Sequence, residues 1–322
     1  MCNKKSRCIS ILANIIILVL AITSATGCSS RNNETVKVRI GYEAILSDYT
    51  FFVAYENGYF KDEGLDVEVI KFNTTNEQLL ALLSGQVDMI PNSSMALLLS
   101  AEVEHPGRFS VFMAHGDLGN KILVRNDSQI TSVEQLSGAK IGTFPGTTML
   151  TYANTSLAPY FNPSEFPTIV GMQPPNLVEA LTSGQVDAIF AVEPIVSVAI
   201  QRVGAREIMN NPLGNIMSPF TGGASVLRNK FVDEHPDESA AIIRAMNRAV
   251  DYIRENDSES RAILAKYTGF ENELLQSSTL GYIWKLDEID RNAIQRLAEI
   301  LADAGVVEEE VDTANWYYLT DK

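Results

Sequence analysis

Beyond residue 28 the chain contains no cysteine. Its three cysteines, Cys2, Cys8 and Cys28, all lie at the amino-terminal end of 322 residues. The bulk of the polypeptide therefore offers no disulfide, no thiolate metal site and no cysteine nucleophile. Histidine is almost as scarce, with His105, His115 and His235 alone. His105 and His235 each precede proline, which suits loops, and no His-Glu-x-x-His or paired-histidine spacing offers a metal site. Gly-x-Ser-x-Gly is missing as well. Without a nucleophile–base set or a metal-ligand pattern, the protein is expected not to be an enzyme and to need no cofactor. Basic residues are in deficit too, 25 Lys and Arg against 40 Asp and Glu, for a formal net charge of −15. So acidic a chain argues against nucleic acid as a partner, because phosphates call for clustered Lys and Arg.

What is present begins with an export signal. Lys4, Lys5 and Arg7 precede an apolar run from Ile9 to Ile22 broken only by Ser10 and Asn14. The run is shorter than the roughly 20 residues of a membrane span. It leads into Ser24-Ala25-Thr26-Gly27-Cys28, which resembles a bacterial lipobox whose cysteine is lipidated, with Ala25 where such boxes usually carry leucine. Residues 1–28 are read as a lipoprotein signal peptide with Cys28 as the lipidation site, and residues 29–35 as a polar tether. The alternatives are ordinary signal cleavage or an uncleaved anchor. Each puts the rest of the protein outside the cytoplasmic membrane, and lipidation would attach it to the cell membrane on the periplasmic face or cell surface. Loss of residues 1–27 would take the net charge to about −18.

The remainder is duplicated. Ser84-Gly85-Gln86-Val87-Asp88 returns as Ser183-Gly184-Gln185-Val186-Asp187, Ile40-Gly41 as Ile141-Gly142, and Leu123-Val124-Arg125-Asn126 as Val226-Leu227-Arg228-Asn229. All three echoes share a shift of about a hundred residues, far longer than a solenoid repeat of about 20–50. The repeated unit is a domain. Two similar domains make a cleft, the preferred place for a ligand.

Within each copy the order is strand–helix–strand–helix–strand. The first copy has strands at 36–42, 65–72 and 87–90 around helices at 49–57 and 76–83. The second has strands at 140–143, 168–172 and 186–192 around helices at 147–157 and 176–181. Such crossovers imply parallel pairing. The Ser-Gly pair of each pentad reads as a helix stop, so the pentads build the lobes rather than touch a ligand. Strands at 120–126 and 224–229 cross between lobes, with hinges at 119–122 and 222–225. From Pro236 onward helices at 238–255, 259–267 and 291–304 are expected to pack on the first lobe. Lobe I thus comprises 36–119 and 223–322 with its C-terminal helices, and lobe II comprises 120–222.

Ligands in open α/β sheets sit beyond the carboxyl ends of the strands. That rule selects the loops 43–49, 91–94, 114–117, 144–148, 192–194 and 220–223. Candidate ligand-binding residues are Tyr49, Asn92, Ser93, Ser94, His115, Phe144, Gly146, Thr147, Thr148, Glu193, Thr221 and Gly222. Serine, threonine and glycine at helix starts offer hydroxyls and free N–H groups to an anion, though each also reads as a plain N-cap. Glu193 is the expected counter-charge for an amine-bearing solute, with helix capping as its alternative role. Tyr42, Tyr49, Phe144 and Phe220 are candidate aromatic walls. None of the six loops holds Lys or Arg.

Several of these segments carry a family resemblance over nearly the whole exported chain. They are Gly58-Tyr59-Phe60-Lys61-Asp62-Glu63-Gly64-Leu65-Asp66-Val67, Leu83 to Asp88, Val133 to Gly142 with Pro145-Gly146-Thr147, Val186-Asp187-Ala188-Ile189 with Glu193-Pro194, and Ala262 to Gly269. The chain resembles the solute-binding proteins of bacterial ABC importers for nitrate, aliphatic sulfonates, taurine and thiamine-precursor pyrimidines. The resemblance implies an α/β type II periplasmic-binding-protein fold: two similar Rossmann-like lobes joined by two crossing strands, with the ligand cleft between them. It also implies a monomer that captures a small polar solute, sulfonate- or taurine-like or an amino-pyrimidine, and delivers it to the transmembrane subunits of an ABC permease. A sensor of the same fold is the alternative; it needs an output module, which this sequence does not display. A pyrimidine-synthesising enzyme branch of the fold is marked by a cysteine-rich motif that this chain lacks.

Overall fold

The computed structural model describes residues 36–116 and 119–319. The expected signal peptide, Cys28 and the tether lie outside the described residues. No helix among those described is long and apolar enough to cross a membrane.

The first repeat contributes β1 (Lys37–Tyr42), α1 (Tyr49–Glu56), α2 (Tyr59–Asp62), β2 (Asp66–Lys71), α3 (Thr75–Ser84), β3 (Met89–Ser94), α4 (Met95–Glu104), β4 (Phe109–Gly116) and β5 (Lys121–Val124). The second contributes β6 (Lys140–Thr143), α5 (Thr147–Leu157), β7 (Thr168–Gly171), α6 (Pro174–Thr182), β8 (Ala188–Ala191), α7 (Ile195–Val203), β9 (Arg206–Asn210) and β10 (Thr221–Arg228). After them come α8 (Asn229–Glu234), α9 (Pro236–Glu255), α10 (Asp257–Thr268), α11 (Asn272–Ser277), β11 (Tyr282–Lys285) and α12 (Arg291–Asp303).

Two sheets result, ordered β11-β4-β10-β3-β1-β2 and β7-β6-β8-β5-β9. Apart from the added edge strand β11, they have one topology. In each, the first strand pairs in parallel with the second and third, and an antiparallel strand follows. That antiparallel strand is exchanged: β5 closes the first repeat but lies in the second sheet, and β10 closes the second repeat but lies in the first. The third sequence echo is this exchange, since Arg125 and Arg228 follow or end the swapped strands.

The pentads do structural work that the repeat makes comparable. Gly85 and Gly184 take φ of 80° and 74° at the helix ends, a conformation glycine adopts without steric cost. Val87 and Val186 still bond back to the carbonyls of Ala81 and Ala180. The strands therefore begin at Met89 and Ala188, later than the alternation of apolar residues suggests. Asp88 and Asp187 then clasp the first strand of their lobes. Asp88 N–H donates to the Arg39 carbonyl (2.8 Å) and its carboxylate accepts from Arg39 N (3.1 Å). Asp187 does the same with Lys140, at 2.9 and 2.8 Å.

Packing of the helices after Pro236 differs from expectation in one respect. α9 lies on α1 and α2, and α12 packs against α4 and β10, both on the first lobe. Tyr267 of α10 stacks on Phe52 with ring centroids 4.6 Å apart. α11, however, leans across to α7 of the second lobe. Ser278 Oγ donates to Ser197 Oγ at 3.0 Å, and Arg202 pairs with Glu271 at 3.3 Å. The C-terminal helices thus touch both lobes, because α11, with Leu274 and Leu275 buried, packs on α10 as well as meeting α7.

Candidate ligand-binding site

A cavity of about 340 Å³ opens between the lobes. Its first-lobe side is mainly polar, with Ser47, Thr75, Asn92, Ser94 and His115 beside Ile45. Its second-lobe side is mainly apolar, with Met149, Val192, Leu213 and the ring of Tyr152 around Thr148. Gly116, Phe220, Gly222 and Gly223 complete the wall where β4 and β10 meet. Gly116 is fixed by close approach: a Cβ there would stand 1.9 Å from the Phe220 carbonyl oxygen.

Three helices begin at this cavity. Thr75 opens α3, Ser94 caps α4, and Thr148 is the second residue of α5. Their first-turn N–H groups and dipoles supply partial positive charge without any cation. Among the described residues, no Lys or Arg lines the cavity. Ser94 Oγ accepts from Leu97 N (3.2 Å), so it is an N-cap. Capping uses an oxygen lone pair and leaves the O–H free to donate. Capping and ligand binding are therefore compatible at this residue.

His115 is buried and meets Ser225 Oγ at 2.8 Å; Ser225 Oγ in turn lies 2.5 Å from the Pro91 carbonyl oxygen. A carbonyl only accepts, so Ser225 donates to Pro91 and accepts from His115 Nε2–H, which leaves Nδ1 as an acceptor. Burial pushes the imidazole down from 6.5 to about 4, against a smaller upward pull from Pro91. His115 is neutral at pH 7. Between pH 6.5 and about 4 the unfolded chain binds a proton that the folded one refuses, so the imidazole lowers stability as the pH falls through that window, by roughly 3 kcal/mol in full. Burial raises the pKa of Glu43, Asp48 and Glu193, whose titration acts with the opposite sign. The difference between wild type and His115→Gln in urea melts isolates the imidazole: it shifts by about that amount across the window, in favour of the variant at low pH.

The sequence-derived candidates divide. Asn92, Ser94, His115, Thr148 and Gly222 line the cavity, as does Phe220. Ser93 does not: side chains alternate along β3, so between Asn92 and Ser94 it turns into the lobe and is fully buried. Tyr49 opens α1 and borders a separate, water-sized hollow of about 20 Å³ beside Ser47 and His115. Phe144 packs on the second-lobe core with Met172, because its loop turns outward before α5. Gly146 is exposed at the N-cap position with φ of 104°. Thr147 is the first residue of α5. Thr221 is buried at the start of β10 beside Gly116, and the two glycines after it reach the cavity instead.

Glu193 requires the clearest correction. Its carboxylate accepts from Ser197 N (3.0 Å), Ser197 Oγ (2.9 Å) and Thr279 N (3.1 Å). It is 6% exposed, and Val192 takes its place at the cavity wall. It caps α7, the alternative role the sequence offers, and ties the second lobe to the segment after α11. Burial raises its pKa, and the three hydrogen bonds and Lys121 oppose that rise.

Lining residues outside all six selected loops are Thr75, Met149, Tyr152 and Leu213. Thr75 follows β2, a strand end to which the loop rule applies equally. Tyr152 lies one helical turn beyond Thr148, on the same face. Leu213 sits in a short 3-10 turn, Pro212–Asn215, and had no signal in a pattern of strands and helices.

Residues 31–269 match the NMT1-like family. The putative aliphatic sulfonates-binding protein of Bacillus subtilis (strain 168) is 30% identical over 312 residues, which cover 95% of this chain and 88% of that protein. The solved structure of the periplasmic aliphatic sulphonate binding protein from Escherichia coli matches with a TM-score of 0.73 at 17% identity, over 88% of this chain and 92% of that one. A desulfurization enzyme matches as well, with a TM-score of 0.68 at 15% identity over 88% of this chain and 96% of its own. At such identities the structural likeness speaks for the fold: α/β, of the type II periplasmic-binding-protein kind, with two lobes, two crossing strands and a cleft between them.

Proposed function

The chain belongs to the NMT1-like family, and on that premise we propose that it is the extracytoplasmic solute-binding component of an ABC importer. It captures a small organic solute in the interlobe cavity and presents it to the permease. The observation that carries this reading is the convergence of three helix N-termini, at Thr75, Ser94 and Thr148, on one cavity built from both lobes. Such an arrangement holds an acceptor-rich head group by neutral donors and oriented dipoles. Of the two solute classes raised by the sequence, it favours the sulfonate over the amino-pyrimidine, since Glu193 is engaged elsewhere. The family relative of Bacillus subtilis is named for the same chemistry.

Binding without transformation is part of the proposal. The desulfurization enzyme shares the fold, but His115, the cavity residue best suited to proton transfer, is already committed to the Ser225–Pro91 relay. Closure about the crossing segments 119–122 and 222–225 would bring the polar and apolar walls together. We place the mature protein outside the cytoplasmic membrane, lipidated at Cys28, as a monomer. Mass spectrometry of the mature N-terminus tests the lipid.

Thermal-shift titration against alkanesulfonates, taurine, nitrate and aminopyrimidines tests the function, because a ligand that binds only the native state raises its melting temperature by mass action. A saturable rise with an alkanesulfonate is expected. No rise with any of these solutes would overturn the reading.

A further inference from the structure

Tyr152 has a polar atom that the fold leaves without a use. The residue lines the cavity and is 5% exposed, and its hydroxyl is buried with no hydrogen-bond partner among the described residues. Leaving a buried donor unmade costs free energy that nothing else in the wall returns. The surroundings are apolar: Phe220 meets the ring edge-on, centroids 5.1 Å apart at 85°, and Met149 and Leu213 lie on the same wall. Along α5, Tyr152 stands four residues after Thr148, so the two share a face about 6 Å apart.

Resting on the solute-capture reading, we propose that Tyr152 is a specificity-determining residue. In the closed, solute-bound form its hydroxyl donates to a second acceptor carried on an apolar body, one helical turn from the head group held at Thr148 and Ser94. The solute is then neither nitrate nor taurine, which would leave much of a cavity of about 340 Å³ unfilled. It is an organic acid with a compact apolar, preferably aryl, body and a carbonyl- or ether-type oxygen at the far end. The T-shaped Tyr152–Phe220 pair supplies the ring edges and faces that such a body packs against.

The test compares 4-acetylbenzenesulfonate, benzenesulfonate and taurine by calorimetric titration on wild type and Tyr152→Phe. In wild type the acetyl probe binds about tenfold more tightly than benzenesulfonate, and both exceed taurine. In Tyr152→Phe the acetyl advantage disappears and the two aryl probes bind alike, while the unliganded protein melts no lower than wild type because an unpaired buried hydroxyl has gone. An acetyl group that adds nothing in wild type, an advantage that survives in Tyr152→Phe, or taurine binding more tightly than both aryl probes overturns the inference and leaves solute capture standing. If neither these probes nor any solute of the thermal-shift titration binds, solute capture falls and this inference with it.

Discussion

Asp88→Ala lowers the unfolding free energy by about 3 kcal/mol or more, whereas Asp187→Ala, at the same position of the second pentad, costs about 1 kcal/mol. The two aspartates clasp their first strands alike, but only Asp88 also receives guanidinium groups. Arg39 Nε and NH2 donate to it at 3.0 and 2.8 Å, and Arg228 NH2 at 2.6 Å. Asp88 is 1% exposed and the Arg228 side chain 12%, so removing the carboxylate strands a cation that water barely reaches. Asp187 is exposed; its counterpart arginine, Arg125, turns instead to Asp127 at 3.0 Å. The measurement is a pair of urea melts at pH 7 with slopes checked for equality. Equal losses for the two variants would remove the guanidinium groups from the explanation. The pH dependence follows with its sign. Burial raises the Asp88 pKa, but the hydrogen bonds from Arg39 and Arg228 outweigh it and hold it below 3.8. Its contribution is therefore complete above that value and is lost as the pH falls through the folded-state pKa.

Glu193→Ala is expected to cost about 2–4 kcal/mol, with Glu193→Gln near 1 kcal/mol because one acceptor oxygen remains. The alanine leaves Ser197 N, Ser197 Oγ and Thr279 N without their acceptor in a buried junction. Thr279 belongs to the segment after α11, so the same change loosens the noncovalent tie between that segment and the second lobe. Gly119 is packed into the junction: a Cβ on it would lie 2.7 Å from Thr279 Cβ and 2.8 Å from Glu193 Cγ. Ligand titrations separate this role from a counter-charge role. Glu193 makes no wall of the cavity, so any solute that binds is weakened by Glu193→Ala to the same extent whether or not it carries an ammonium group. Selective loss of taurine relative to methanesulfonate would return Glu193 to the ligand.

Much of the architecture was legible in the sequence. The strand at 140–143 and the helix at 147–157 match the structure to the residue, because the Ile-Gly echo of the first strand and a glycine-led helix start leave no competing pattern. The repeat predicted two sheets of one topology, and the echo at Arg125 and Arg228 marked the two strands that cross. The edge strand β11 is not legible: Tyr282–Lys285 is four residues long and has no counterpart in the repeat, so nothing local distinguishes it from loop. The tilt of α11 onto α7 was beyond reach for a different reason. It depends on serine and glutamine hydroxyl and amide contacts between elements some 80 residues apart.

In the cavity the dividing line is similar. Strand-end loops could be enumerated from topology alone, and five of the twelve named residues line the cavity. Inside a loop, however, sequence does not say which way a side chain turns. Ser93 and Ser94 are chemically alike, and the pleat of β3 sends one into the lobe and the other to the cleft.

By itself the sequence determined the duplication, the α/β class, the absence of catalytic and metal-binding patterns after residue 28, and six of the loops that face the cleft. These follow from local periodicity, glycine geometry and chain order, which act over short stretches of backbone. Tertiary structure alone decided that Asp88 carries two guanidinium groups where Asp187 carries none. It also decided that Glu193 is bound up in a three-way junction, and that Tyr152 keeps an unpaired hydroxyl at the cavity wall. Each depends on side chains brought together from distant parts of the chain, where burial sets the energy of a charge or a hydrogen bond, and no pattern of neighbouring residues encodes that burial.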